Sequence, residues 1–199
     1  RAQTRIQQRN TQVILEAALD VFSQYGFRGA TLDQIAQTAS LSKPNLLYYF
    51  PSKEEIHRAV LTDLMETWLD PLHALDPAGD PVAEILGYVR RKLEMSRDYP
   101  RESRLFANEI LQGAPRIRDV LKGALKQLVD EKAGVIRNWS ETGRIAAVDP
   151  YHLIFSIWAL TQHYADFDVQ IRLVLDGRDP FPAAETYLAR LFDAVLTRR

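Results

Sequence analysis

Wherever apolar residues recur in this chain, they recur at intervals of three and four, and that period predicts an all-α protein. Two further observations agree. Glycine and proline (Gly26, Pro51, Pro81, Pro100, Gly143, Pro150) stand between the periodic segments, where helices stop and restart. Cap signatures also precede apolar runs: Thr31 with Gln34, and Ser52 with Glu55. No stretch reads as a strand and no internal repeat appears. The expectation is about nine helices: three short ones in front, containing a helix-turn-helix, and a helical bundle behind.

The first helix is expected to run from a basic start at Arg1 to Tyr25, with Ile14, Ala17, Ala18, Val21 and Phe22 as its apolar stripe and Gly26 as its stop. Thr31 caps the second helix, whose Leu32, Ile35, Ala36 and Ala39 face inward. Ser40 and Leu41 make a turn. Ser42 caps a third helix with Pro44 in its first turn, where no intrahelical donor is lost. That helix carries Lys43, Asn45, Tyr48 and Tyr49 around Leu46 and Leu47 and ends before Pro51. Such a short polar helix, crossed by a shorter one, has the geometry that enters a DNA major groove. Lys43, Asn45 and Tyr48 are placed to reach base edges, since Asn pairs with adenine and Lys with guanine acceptors. Thr31, Tyr48, Tyr49 and Lys53 are placed for phosphates, and Lys53 opens a helix N-terminus that suits an anion. Phe50 reads as core; Tyr49 reads either as a phosphate contact or as core.

From Ser52 to about Leu75 one long helix repeats Ile56, Val60, Leu64 and Trp68 four apart, with Pro71 late in it. The loop Asp76–Pro81 is a candidate boundary. Helices follow over Pro81–Arg97 and Glu102–Leu111, then a long one from Arg116 to about Thr142, an apolar one from Tyr151 to about Leu175, and a last one over Ala183–Leu196. Ile154, Trp158 and Gln162 share one face of the apolar helix. A Trp there serves a core as readily as a ligand. An amide buried without a partner costs roughly 1–3 kcal/mol, so Gln162 calls for one.

The net charge of -1 conceals an asymmetry: residues 1–53 carry six Lys/Arg against three acids. A basic end on a slightly acidic chain suits phosphate contact, and Arg1, Arg5 and Arg9 are placed either as a DNA-tracking arm or as a solvated tail. There is no cysteine, which excludes disulfides and thiolate sites and fits a reducing cytoplasm. No apolar run reaches the roughly 20 residues of a membrane span. The chain starts at Arg1 without Met, which leaves room for a missing N-terminal piece. Glu54 and His57 form one E-x-x-H, but a di-iron bundle needs two with two further Glu, so no metal and no cofactor are expected. A helical enzyme acting on small planar substrates lacks a Ser/His/Asp set and a phosphate loop here.

The stretches ILEAALDVFSQYGF, GATLDQIA and SKPNLLYYFPSKEE resemble the DNA-binding domain of the TetR family of bacterial repressors, with Leu47-Tyr48-Tyr49-Phe50 followed by Ser52-Lys53 as the most specific part. Ser40-Leu41-Ser42 stands where that family has glycine-valine-serine, so a left-handed Ser40 is expected to cost roughly 1–2 kcal/mol. The resemblance implies a DNA-binding domain over 1–53 and a ligand-binding and dimerisation domain over 54–199. It implies DNA contacts by Thr31, Ser42, Lys43, Asn45, Tyr48, Tyr49 and Lys53, a double-stranded operator as partner, and a homodimer closed by the last two helices. Those helices, with Leu153, Ile157, Leu160, Tyr164, Leu188, Leu191, Phe192 and Val195, hold more apolar residues than one inner face requires. Ser96–Pro115 and Asp149–Phe167 are similar to the pyrimidine-sensing, RutR-type branch, which implies uracil or thymine as effector and release of DNA on binding. A pyrimidine dione is flat and presents an N–H between carbonyls; an indole stacks on it and a primary amide pairs with it. The branch thus implies Trp68, Trp158 and Gln162 as ligand contacts; Phe106 and Leu105 are placed to close the pocket, with Glu109, His163 and Asp166 behind them. A TetR-type regulator of a drug-like or acyl ligand is the alternative, favoured by a wholly aliphatic pocket.

Overall fold

The computed structural model describes residues 5–197, and Arg1 of the expected basic arm lies outside them. Among the described residues there are helices and no strand. They form two compact units: 5–66 with 104–118, and 67–103 with 119–197. The division falls inside a long helix, because one helix can bury its first turns in one core and its last turns in another. The segment 104–118 folds with the first unit.

In the first unit, α1 (Arg5–Gly29) buries Ile14, Ala17, Ala18, Val21 and Phe22. Gly26 breaks its path with φ 66° and ψ 174°, so the helix proper stops where the glycine was expected to stop it. Thr31 caps α2 (Leu32–Thr38): its Oγ1 accepts the Gln34 N–H at 3.2 Å while Gln34 Oε1 accepts the Thr31 N–H at 2.8 Å, a complete capping box. Ser40 is left-handed at φ 56°. Its N–H reaches Gln37 O and the Leu41 N–H reaches Ala36 O, so the turn is a Schellman closure carried by serine instead of glycine. Ser42 Oγ accepts the Asn45 N–H and opens α3 (Lys43–Tyr49), which buries Leu46. Ser52 Oγ accepts the Glu55 N–H at the start of α4 (Lys53–His73), which continues through Pro71. Ile56, His57, Val60, Leu61 and Met65 are buried along it.

In the second unit, α5 (Pro81–Asp98), α8 (Lys126–Glu141), α9 (Pro150–Asp166) and α11 (Phe181–Leu196) enclose one core, with Leu72, Ile85, Val89, Leu93, Ile136, Trp139, Ile157 and Phe192 inside it. α6 (Pro100–Leu111) leads away from α5. The long helix expected from Arg116 is interrupted: α7 (Arg118–Val120) passes through a π-helical turn at Leu121–Leu125 before α8 begins, and the Lys126 N–H reaches back five residues to Leu121 O. The apolar helix expected to reach Leu175 ends at Asp166. Phe167, at φ -118° and ψ 28°, separates it from α10 (Asp168–Val174). Of the apolar residues on the last two of the expected helices, Leu153, Ile157, Leu188 and Phe192 are buried in this unit's own core, while Leu160 and Val195 are exposed, as are Phe155 and Tyr187.

His57 is buried with its Nδ1 unbonded, and its ring meets Phe22 and Phe27 edge-on at 4.7 and 5.0 Å. Burial, and then the charges of Arg116 and Lys53, hold its pKa down to about 4. The unfolded chain takes up this proton near the ordinary histidine value, while the folded chain does not until near pH 4. Stability therefore falls with pH between about 6.5 and 4. Urea titrations at pH 7 and 4.5 are expected to lose about 2–3 kcal/mol through this site, and His57→Leu to remove that share of the difference. Ser40→Gly relieves the left-handed turn and is expected to stabilise the protein by about 1 kcal/mol in the same titration at pH 7.

Candidate functional site

The helix-turn-helix presents a graded set of polar groups. Tyr48 is 72% exposed on α3, its ring edge-on to Tyr49 at 5.2 Å. Asn45 and Ser42 are exposed at the start of the same helix. Lys43 Nζ pairs with Asp33 on α2 at 2.9 Å; both groups are exposed, so DNA phosphates compete readily for the ammonium. Tyr49 is half-buried, and its hydroxyl accepts a hydrogen bond from Asn10 Nδ2 at 2.7 Å, which ties α3 to the first turns of α1. Arg5 and Arg9 are exposed on those turns.

Two groups expected at phosphates are engaged inside the protein. Lys53 Nζ donates to Phe27 O and Ala30 O, both at 2.8 Å, and lies 4.6 Å from the Phe27 ring centroid. Its charge closes the carbonyl end of α1, where Gly26 leaves those oxygens without helical partners. The Thr31 hydroxyl contacts Gln34 Oε1 at 3.0 Å as part of its cap. Glu109, expected near a ligand, is buried in the first unit and binds Arg116 twice, through the backbone N–H at 2.7 Å and the guanidinium at 2.8 Å. The Arg116 guanidinium then stacks on Phe27 at 3.5 Å. The sequence offered no sign that residues so far apart would meet.

The second unit holds a different cluster. Trp68, near the end of α4, is 7% exposed. The Lys92 ammonium of α5 lies 4.7 Å from its ring centroid. Lys92 is itself only 3% exposed, and burial holds its pKa down to about 8, opposed by the negative charge of Asp166 on α9. The Asp166 carboxylate accepts the Ser103 hydroxyl at 2.5 Å. Trp158 Nε1 donates to the Tyr88 hydroxyl at 2.7 Å, so the indole is held in one orientation. Burial pushes the Tyr88 phenol above its ordinary pKa and keeps it neutral.

These contacts have a register. Tyr88 meets Trp158; one turn further along each helix come Lys92 and Gln162; one turn beyond Gln162 comes Asp166, whose charge reaches Lys92. Trp158 and Gln162 are half-buried. Phe106 is half-buried on α6 and folds with the first unit. His163 is exposed and stacks on Phe167 at 4.9 Å; His73 and His152 are exposed as expected. Sequence reasoning missed Lys92, Tyr88 and Ser103. The available signal was a lysine inside the stripe Ile85, Tyr88, Val89, Leu93, where solvated lysines do not belong. Among the described residues no group of acids and histidines forms a metal site, and no helix is long and apolar enough to cross a membrane.

A capped helix-turn-helix with an exposed polar helix, joined to a helical unit with a buried polar cluster, defines a one-component DNA-binding regulator. The comparisons agree. The family described as bacterial regulatory proteins, tetR family, matches residues 14–60, and the YcdC-like protein C-terminal region matches residues 61–195. The HTH-type transcriptional regulator RutR of Escherichia coli (strain K12) is 55% identical over 163 residues, which cover 82% of this chain and 77% of RutR. The HTH-type regulator YhgD of Bacillus subtilis is 24% identical over 143 residues, covering 70% and 73%. Among solved structures, AibR in complex with isovaleryl coenzyme A and operator DNA aligns with TM-score 0.70 at 18% identity, over 92% of this chain and 97% of AibR. Salmonella enterica GusR aligns with TM-score 0.67 at 18% identity, over 94% and 95%. The chain belongs to the TetR family of transcriptional regulators and is similar to RutR over most of its length. Its relatives are regulators, not enzymes.

Proposed function

We propose that this protein is a dimeric cytoplasmic repressor of pyrimidine-metabolism genes, released from a palindromic operator when uracil or thymine binds the second unit. The observation that carries this reading is the α9 face on which Trp158, held by the Tyr88 hydroxyl, is followed one turn later by half-buried Gln162: an indole for a flat ring and an amide able to donate and accept.

On the DNA side, Lys43, Asn45 and Tyr48 read base edges, with Tyr49, Thr31 and Ser42 near the phosphates. Asn45 pairs with adenine, and Lys43 exchanges Asp33 for a guanine acceptor or a phosphate. Lys53 contributes by holding the domain together and through its place at a helix N-terminus, not through its ammonium. The exposed apolar residues Phe155 and Leu160 on α9, with Tyr187 and Val195 on α11, support an isologous face between two copies. A dimer of this kind spans two half-sites one DNA turn apart. α4 begins at Lys53 and carries Trp68 fifteen residues later, roughly 22 Å along the same helix. Effector contact with Trp68 then bears on the separation of the two reading heads, provided the effector binds the DNA-incompetent arrangement more tightly.

Tyr48→Ala is expected to abolish operator binding in a gel shift at physiological salt while leaving the far-ultraviolet circular dichroism unchanged; retained binding would remove α3 from the interface. Gln162→Ala is expected to weaken uracil binding by about tenfold in calorimetry, with operator affinity near wild type. Uracil affinity equal to wild type would take Gln162 out of the site.

A further inference from the structure

Asn10 sits on α1 one turn before the buried stripe begins at Ile14. Asparagine is among the weaker helix formers, and an alanine or leucine there would serve the helix better. Its Nδ2 donates instead to the Tyr49 hydroxyl oxygen at 2.7 Å, joining α1 to α3 across 39 residues of sequence within one unit. The Tyr48 ring lies edge-on to Tyr49 at 5.2 Å, so Tyr49 is held at its ring as well as at its oxygen. A phenol carries one proton and accepts through its oxygen. That proton lies near the ring plane, on one side of the oxygen or the other. A donor on one side leaves it on the other, so the Tyr49 proton is turned away from Asn10. Accepting a hydrogen bond also polarises the O–H and makes it a better donor. The surroundings suit an anion. Arg9, next to Asn10, and Arg5, one turn earlier, are exposed, and the first turn of α1 holds no acid. Two guanidiniums one turn apart near the positive end of a helix destabilise the free helix and favour negative charge beside it.

Resting on the reading above that sets Tyr49 near the phosphates, we infer that Asn10 is a positioning residue for DNA binding: by donating to the Tyr49 oxygen, it presents the phenolic proton to a backbone phosphate. Asn10 acts through Tyr49 and needs no contact of its own with the DNA. A hydroxyl donating to a phosphate makes a charge-assisted bond, which is among the stronger ones. It neutralises no phosphate and so releases no counterion. It also reads no base. Asn10 therefore contributes affinity on any duplex, whereas Lys43 and Asn45 distinguish one sequence from another.

The test is fluorescence anisotropy of the full chain with two duplexes over a range of salt. One duplex is selected by the wild-type protein from a random-sequence pool, and the other is of unrelated sequence. Tyr49→Phe is expected to weaken both by about tenfold, with the slope of log affinity against log salt unchanged. Asn10→Leu keeps the size of the side chain and removes its donor; it is expected to lose a comparable factor on both duplexes. The variant carrying both changes should lose no more than the larger single loss, because the two residues act as one unit. Asn10→Ala, a better helix former, repeats the measurement, and the melting temperature of each variant certifies its fold. Wild-type affinity of Asn10→Leu and Asn10→Ala for both duplexes, beside a weakened Tyr49→Phe, would overturn the inference and leave the phosphate role of Tyr49 standing. A loss confined to the selected duplex would overturn it too, since that marks a displaced α3 that has lost its base contacts, and so would losses that add in the combined variant. Tyr49→Phe with wild-type affinity for both duplexes would overturn the phosphate role of Tyr49 and the inference with it.

Discussion

The DNA-reading unit depends on a single ammonium. Gly26 leaves the helical path, and the carbonyls that follow have no helical N–H to meet. Lys53 supplies the donors, bonding Phe27 O and Ala30 O at once from the first residue of α4. That closure fixes where α4 starts relative to the end of α1, and the segment held between them is the capped pair α2 and α3. Phe27 then offers its ring to Lys53, Arg116 and the edge of His57, so one aromatic residue joins groups from α1, α4 and the chain beyond α6. The cost is a buried, neutral histidine with an unbonded nitrogen, which burial, and then the surrounding cations, keep from protonating.

The second unit is under the opposite kind of constraint. Its core is apolar and would be more stable without polar groups, yet it holds Lys92, Asp166, Ser103, Tyr88 and Thr161. Some of these are satisfied internally: Tyr88 by Trp158, and Thr161 by the Ile157 carbonyl of its own helix. Lys92 lies against the Trp68 ring, with the negative charge of Asp166 opposing its desolvation.

Much of this was legible in the sequence for local reasons. The caps at Thr31 and Ser42, the left-handed Ser40, the stops at Gly26 and Pro100 and the apolar face of α5 each follow from a few adjacent residues and their backbone preferences. The ladder position of Gln162 was visible as spacing along one helix. The break at Phe167 and the π turn at Leu121–Leu125 were not, since neither carries a proline and both sit inside unbroken helical periodicity. Tertiary packing overrode the local pattern there.

The sequence by itself determined the all-α class, the helix-turn-helix with its caps, and the face shared by Trp158 and Gln162. These depend on period, cap chemistry and short-range hydrogen bonds, all written within a turn or two of chain. Only the tertiary structure decided what the charged residues do. It turned Lys53 inward, gave Glu109 to Arg116, and set Lys92 against Trp68 within reach of the Asp166 charge. A lysine reads the same in a sequence whether it faces solvent, a carbonyl or a ring. Its role depends on what distant segments bring to it and on whether water is excluded there.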